Sequence, residues 1–188
     1  SFFPEYELNR QRADDDAERL QSAQRSARAG DLTALAFEGT PFAAASPRLC
    51  ACMISEMVLQ LMMRGANVTR RSSRSEGIQY GYVTNDQTVC VRMCRLKHEA
   101  RKGWGLSTGF IYPDRFDELI MAFWVPAALQ VFSIPRHYKF RGQGKGHNGR
   151  QFALYAPPGI ERHERAWSEL QVQLADSGCR HLAVIELD

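Results

Sequence analysis

The stretch IQYGYVTNDQTVCVRMCRL, residues 78–96, opens the part of the chain that decides the fold. Aromatic, β-branched and apolar residues dominate its two halves, residues 78–83 and 88–96. Such runs are typical of β-strands, and Asn85-Asp86 between them is a turn signal. We therefore predict a β-hairpin.

The sequence on both sides of the hairpin predicts more strands and helices. Residues 48–64 carry apolar residues at helical spacing, and residues 160–175 place Trp167, Leu170 and Leu174 on one helical face. Residues 129–135 and 182–185 are apolar runs that predict two more strands. The expected fold is α/β or α+β, with a central mixed β-sheet flanked by helices.

The expected domain organisation is simple. The 188 residues fit one domain, with an N-terminal helical extension at 1–45 and an α/β core at 46–188. No apolar run approaches the roughly 20 residues that cross a bilayer. The start SFFP lacks both an initiator Met and the basic-then-apolar layout of a signal peptide, so we expect an N-terminus that is either processed or engineered, and a cytoplasmic protein.

The five cysteines do not form a metal motif. No CxxC pair occurs, and no histidine lies at a spacing that would complete a zinc site. Cysteines in such a pattern are more often small buried apolar residues than ligands. We therefore predict no metal site and no cofactor.

Positive charge is concentrated in the middle of the chain. Residues 70–150 contain 14 basic and 6 acidic residues, a balance of +8, whereas the whole chain carries +3. A basic centre between acidic flanks indicates a surface for a polyanion, although a run of charge is equally compatible with a solvated face.

Two segments concentrate the candidate nucleic-acid contacts. Residues 136–150 hold five basic residues, four glycines and two aromatics without an acid, a composition that suits phosphate contact and base stacking as well as a plain surface loop. Residues 71–77 are predicted to form a polar loop whose arginines are spaced by serines and could contact phosphate. The candidate binding residues are Arg70, Arg71, Arg74, Arg136, Lys139, Arg141, Lys145 and Arg150. A further basic loop is expected at 97–105, with Trp104 exposed between two glycines.

Two strings match familiar catalytic patterns in their letters alone. GLSTG at 105–109 matches GxSxG and GKGHNG at 144–149 matches GxGxxG, but neither lies between a predicted strand and a predicted helix, the context that each motif requires. The histidines are scattered through polar segments. Hydrolases that use a serine or cysteine nucleophile and dinucleotide-binding functions are therefore disfavoured.

The order of elements from Ser55 to Pro135 resembles the PD-(D/E)XK nuclease superfamily. A predicted helix carries Glu56 and ends at Gly65, a strand and the hairpin follow, and later come DELI at 117–120 and VFSIP at 131–135. The resemblance implies a restriction-endonuclease-like fold acting on DNA. Its members cleave phosphodiesters with a divalent metal held by carboxylates.

The catalytic positions of that family are changed in this sequence. Gly81 stands where the metal-binding Asp is expected, and Cys90-Val91-Arg92 stands where (Glu/Gln)-x-Lys is expected. A glycine supplies no ligand, and a guanidinium is a poor proton acceptor. The remnant-site candidates are Glu56, Gly81, Cys90 and Arg92.

The expected function is therefore DNA or other nucleic-acid binding by a nuclease-like domain with a degraded catalytic site. Two alternatives stay open. One is an active Mg²⁺-dependent endonuclease. The other is a protein-interaction subunit or homodimer that uses the helix predicted at 7–29, whose thin stripe of small apolar residues suits a partner.

Overall fold

The structure is a computed structural model. It describes residues 21, 24, 25, 28–40, 58, 60, 68–73, 78–84, 86–142 and 149–187, with the backbone alone for 68–73 and 78–84. Most of the helices predicted at 7–29 and 48–64 lies outside these residues, as do Glu56, Arg74 and Lys145.

Nine strands and two α-helices have both ends within the described part of the chain, where residues 21, 24, 25, 28, 58 and 60 are also helical. The strands are β1 (Val68–Ser73), β2 (Ile78–Thr84), β3 (Gln87–Glu99), β4 (Gly103–Ile111), β5 (Glu118–Val125), β6 (Ala128–Ile134), β7 (Arg141–Gly142), β8 (Arg150–Tyr155) and β9 (Arg180–Glu186). The helices are α1 (Thr33–Ala36), α2 (His163–Asp176) and a 3-10 turn at Pro113–Arg115. Within the described residues, no helix has the length and apolar character needed to cross a membrane.

The strands form one mixed sheet in the order β7-β8-β4-β3-β5-β6-β9, with β2 also paired to β3 and β1 paired to β2. The β3–β5 pair is parallel, and the other pairs are antiparallel. The mixed sheet and the α+β class predicted from the sequence are confirmed.

The predicted hairpin is present. Thr84 pairs with Gln87, and Asp86 lies in the turn between the two strands. Asp86 has φ +62°, a left-handed conformation that aspartate tolerates better than most residues. The second strand continues beyond the predicted end at Leu96 to Glu99.

Two different strands pair with successive parts of one edge of β3. Its first residues pair with β2 up to Gly81↔Cys90, and its last residues pair with β4 from Leu96↔Leu106 onwards. Between Val91 and Arg95 this edge has no strand partner among the described residues, while the opposite edge is paired with β5 throughout. We call this interval the β3 gap.

The core lies on both faces of the central strands. Every residue from Leu119 to Val125 on β5 is buried. On one face, Phe123 contacts Phe132 and Phe152 with ring centroids 5.5 Å apart, and α2 covers this cluster with Trp167. On the other face, Phe37 meets Trp124 edge-on at 5.9 Å.

Two expectations for loop residues are wrong. Trp104 is 1% exposed and its Nε1 donates a hydrogen bond to the carbonyl of Glu161 at 3.1 Å, because β4 begins at Gly103 and turns the ring into the core. Arg71 belongs to β1, which extends to Ser73, and not to a polar loop that begins at residue 71.

Candidate nucleic-acid interface

Three segments that contain candidate nucleic-acid contacts lie at one end of the sheet. Strands β3, β5 and β8 begin at this end and β4 and β6 terminate there, as their pairing directions require. The loops 112–117 and 135–142 and the start of β8 at 149–150 therefore lie together. We call these three segments the basic end, because they contain five basic residues and two acidic ones.

Exposed cations line the basic end. Arg136, Lys139 and Arg141 are exposed, and none of them forms an ion pair with a residue that the structure describes. Arg150 is exposed at the first position of β8. These four are candidates from the sequence, and the fold brings them together.

The segment 136–150 is not one continuous loop. Arg141 pairs with Gln151 and Gly142 with Arg150, so short strand β7 closes its ends into a hairpin. Lys145 lies outside the described residues. The pairing holds Arg141 and Arg150 on adjacent strands, which sequence alone did not predict.

Aromatic residues fix the path of this segment. Tyr138 stacks on Phe152 with ring centroids 5.2 Å apart and contacts Phe140 at 4.9 Å. Burial raises the pKa of Tyr138 to about 12, so the phenol is neutral near pH 7. Because Tyr138 and Phe140 are half-buried, the alternate residues Lys139 and Arg141 face solvent.

A fifth cation belongs to the basic end. The guanidinium of Arg115 lies 4.3 Å from the ring centroid of Tyr112, a cation–π distance. The 3-10 turn at Pro113–Arg115 brings the two side chains together across three residues. Arg115 was not among the candidates from the sequence; its signal is the Tyr-Pro-x-Arg spacing at 112–115.

A small cavity opens between the two loops of the basic end. Its volume is about 30 Å³, enough for a water molecule. Asp117 lines it, but its Oδ2 accepts a hydrogen bond from the Thr88 amide at 2.8 Å while its own amide donates to the Thr88 carbonyl at 2.7 Å. This carboxylate therefore ties the start of β5 to β3. Residues Pro113, Phe116, Leu119, Ile134, Pro135, Arg136 and Phe140 complete the lining.

The remnant-site residues lie in register across the hairpin. Gly81 pairs directly with Cys90 on β3, and Arg71 of β1 pairs with Gly81. Cys90 is 4% exposed, and burial raises the pKa of its thiol to about 11, so it carries a proton near neutral pH. Within the described residues, no group of three His, Cys, Asp or Glu side chains has the geometry to hold a metal ion.

Arg92 and Cys94 bridge the β3 gap. The Arg92 guanidinium donates to the carbonyls of Phe110 at 3.0 Å and Gly109 at 2.9 Å, and to Thr108 Oγ1 at 3.3 Å. Cys94 Sγ donates to the Ser107 carbonyl at 3.3 Å, and burial raises the pKa of this thiol to about 12. These bonds satisfy carbonyls of β4 where that strand has left β3.

The remaining sequence candidates lie elsewhere. The basic loop expected at 97–105 is only the turn at 100–102, because residues 97–99 belong to β3 and residues 103–105 to β4. Arg70 and Arg71 are placed by their backbone within β1, opposite Tyr82 and Gly81. Arg101 and Lys102 form the turn from β3 to β4, at the end of the sheet opposite the basic end. The positive charge of the middle of the chain is thus divided between separate regions.

Comparison of the chain with protein-family models, with curated proteins and with solved structures finds no match. The site itself therefore carries the functional argument. The fold and the site together define a mixed-sheet α+β protein with a cluster of exposed cations at one end of the sheet.

Proposed function

We propose that this protein binds nucleic acid, most simply DNA, through the basic end of its sheet. The observation that carries the proposal is the set of exposed cations on an anchored scaffold. Lys139 and Arg141 alternate with Tyr138 and Phe140, which pack onto the protein, and Arg136 lies just before this run. Cations held in this way bind phosphates with less loss of conformational freedom than side chains on an unanchored loop.

The closely grouped cations of this surface match the regularly spaced phosphates of a nucleic acid better than the scattered acidic side chains of a protein partner. A nucleic-acid backbone presents negative charges at regular short intervals, and each neutralised phosphate releases condensed counterions. Arg115 and Arg150 extend the set to five cations on three adjoining segments. Contacts of this kind hold a nucleic acid in place without reading its sequence.

We also propose that the domain is a degenerate relative of the PD-(D/E)XK nucleases. The register supports this relationship, because the two positions that the resemblance assigns to metal ligation, Gly81 and Cys90, face each other across the β2–β3 ladder. Neither residue is a carboxylate. A domain with this hairpin would keep the nucleic-acid surface and lack hydrolysis.

The test is the affinity of the full chain for a labelled DNA of 20 nucleotides, single-stranded and duplex, measured by fluorescence anisotropy from 50 to 300 mM salt. With four or five phosphates neutralised, the logarithm of the duplex binding constant should fall against the logarithm of salt with a slope of about −4. Addition of Mg²⁺ should leave the DNA intact.

No binding to either DNA at 50 mM salt would refute the proposed function. Cleavage that requires Mg²⁺ would instead identify an active metal-dependent endonuclease, and would show that the metal ligands come from residues other than Gly81 and Cys90.

A further inference from the structure

Strand β4 contains an unusual residue just before it reaches the basic end. Phe110 has φ +57°, in the left-handed region that few residues other than glycine adopt. The pairing of β4 with β8 shifts register between Thr108 and Ile111, so Phe110 lies in a β-bulge. Its side chain is 57% exposed.

This arrangement is costly for folding. A phenylalanine in a left-handed conformation is strained, and an exposed ring forgoes the stabilisation that burial would give. Bulges of this kind re-aim a side chain and are common beside functional sites. The strain therefore points to a role for the outward ring.

Arg92 stabilises the bulge from across the β3 gap. Its guanidinium donates to the carbonyls of Gly109 and Phe110, at 2.9 and 3.0 Å, and these are charge-assisted hydrogen bonds. The same two residues form the bulge. Arg92 is thus positioned to hold the backbone that presents the ring.

The ring is next to the cations of the basic end. Ile111, the following residue, pairs with Arg150, and Tyr112 after it carries the guanidinium of Arg115 over its ring. Exposed aromatic rings among cations are the usual means of binding single-stranded nucleic acids, because an unpaired base offers a free face for stacking. In a duplex the base faces are occupied by their neighbours.

We infer that Phe110 is a stacking platform for an unpaired base, and that the basic end binds single-stranded nucleic acid or a frayed strand end more tightly than intact duplex. This inference rests on the proposed function. Arg92 is its positioning residue, since it acts through the backbone of residues 109–110.

The test replaces the ring but keeps the backbone. Asparagine tolerates the left-handed conformation, so Phe110→Asn should leave the thermal unfolding midpoint at or above that of the wild type. The affinity for a 12-nucleotide single strand should fall about 10-fold, the affinity for the matching duplex should change less than about 2-fold, and the salt slope should be unchanged. Phe110→Trp should retain the single-strand affinity.

Val172→Asn is the matched control, because Val172 is 59% exposed on α2. It should not change either affinity. Arg92→Lys cannot donate to the carbonyls of Gly109 and Phe110 at the same time, as the planar guanidinium does, and alone it should weaken single-strand binding. Added to Phe110→Asn it should cause no further loss, because Arg92 acts through Phe110.

Equal single-strand affinity of Phe110→Asn and the wild type would overturn the inference while leaving the proposed function standing. An equal loss for single strand and duplex would also overturn it, since a general contact would then explain the effect. Failure of the wild type to bind any nucleic acid would refute both proposals together.

Discussion

Replacing Trp104 with alanine is expected to lower the free energy of unfolding by about 4 kcal/mol, the range measured for large aromatic residues in cores. Trp104 is 1% exposed, and its ring lies edge-on to His98 at 5.1 Å and His163 at 6.2 Å. Its Nε1 also donates to the Glu161 carbonyl, which joins β4 to the segment before α2. Urea unfolding followed by circular dichroism measures the change.

Trp104→Phe separates packing from the hydrogen bond. It keeps an aromatic ring and removes the donor to Glu161, so a loss of about 1–2 kcal/mol is expected. Val172→Ala on the exposed side of α2 should cost less than about 0.5 kcal/mol. A loss below about 1 kcal/mol for Trp104→Ala would mean that the ring is exposed, as its two flanking glycines suggest.

The second large effect concerns binding. The triple variant Arg136→Gln, Lys139→Gln and Arg141→Gln removes three exposed cations from the basic end. If each contacts a phosphate, the salt slope for duplex DNA should become shallower by about 2.7, and the affinity at 100 mM salt should fall by one to two orders of magnitude. Anisotropy titration of the variant and the wild type in the same salt series measures both quantities.

A charge-matched control excludes a general effect of net charge. Arg101→Gln, Lys102→Gln and Arg162→Gln remove the same charge at the opposite end of the sheet, where these side chains are also exposed. This control should bind with nearly wild-type affinity and slope. Equal losses in the two triple variants would indicate non-specific attraction to the whole protein, and would place the binding surface outside the basic end.

Local patterns were sufficient for much of the fold. The hairpin of β2 and β3, strand β6 and helix α2 were predicted because strand composition, an Asn-Asp turn and helical spacing are properties of neighbouring residues. The sequence contains no cysteine metal motif, and its cysteines were therefore predicted to be buried apolar residues. The three described cysteines, Cys90, Cys94 and Cys179, are buried.

Long-range pairing determined the features that the sequence did not reveal. Trp104 was expected in an exposed loop because glycines flank it, yet Gly105 lies so close to Tyr155 of β8 that an added Cβ would meet the ring at 2.4 Å. The glycine serves strand contact and not loop flexibility. Only the β4–β8 pairing distinguishes these two roles.

The candidate site was only partly predicted, because composition is a local property whereas the grouping of its residues depends on long-range pairing. The composition of residues 136–150 indicated phosphate contact, and Arg136, Lys139, Arg141 and Arg150 are exposed near one another in the fold. The contribution of Arg115 depends on a 3-10 turn, and the separation of Arg101 and Lys102 from this group depends on strand direction. Neither can be obtained from charge counting along a chain.

The strained backbone of Phe110 and the exposure of its ring could not be predicted from the sequence. Its conformation belongs to a bulge in the β4–β8 pairing, and its carbonyl accepts a hydrogen bond from Arg92 across the β3 gap. The bulge depends on the pairing of residues 108–111 with residues 150–152, which lie 39 to 44 positions further along the chain. A run such as STGFIY at 107–112 reads only as an ordinary strand.

Amide hydrogen exchange with and without a bound 12-nucleotide single strand is the most direct test of the central claim, that the basic end is the nucleic-acid surface. The account predicts slower exchange on binding in peptides that cover residues 109–117 and 135–142. Peptides from the opposite end, residues 97–103 and 156–162, should exchange at the same rate in both states. Protection confined to the opposite end, or none at the basic end under conditions of saturated binding, would contradict it.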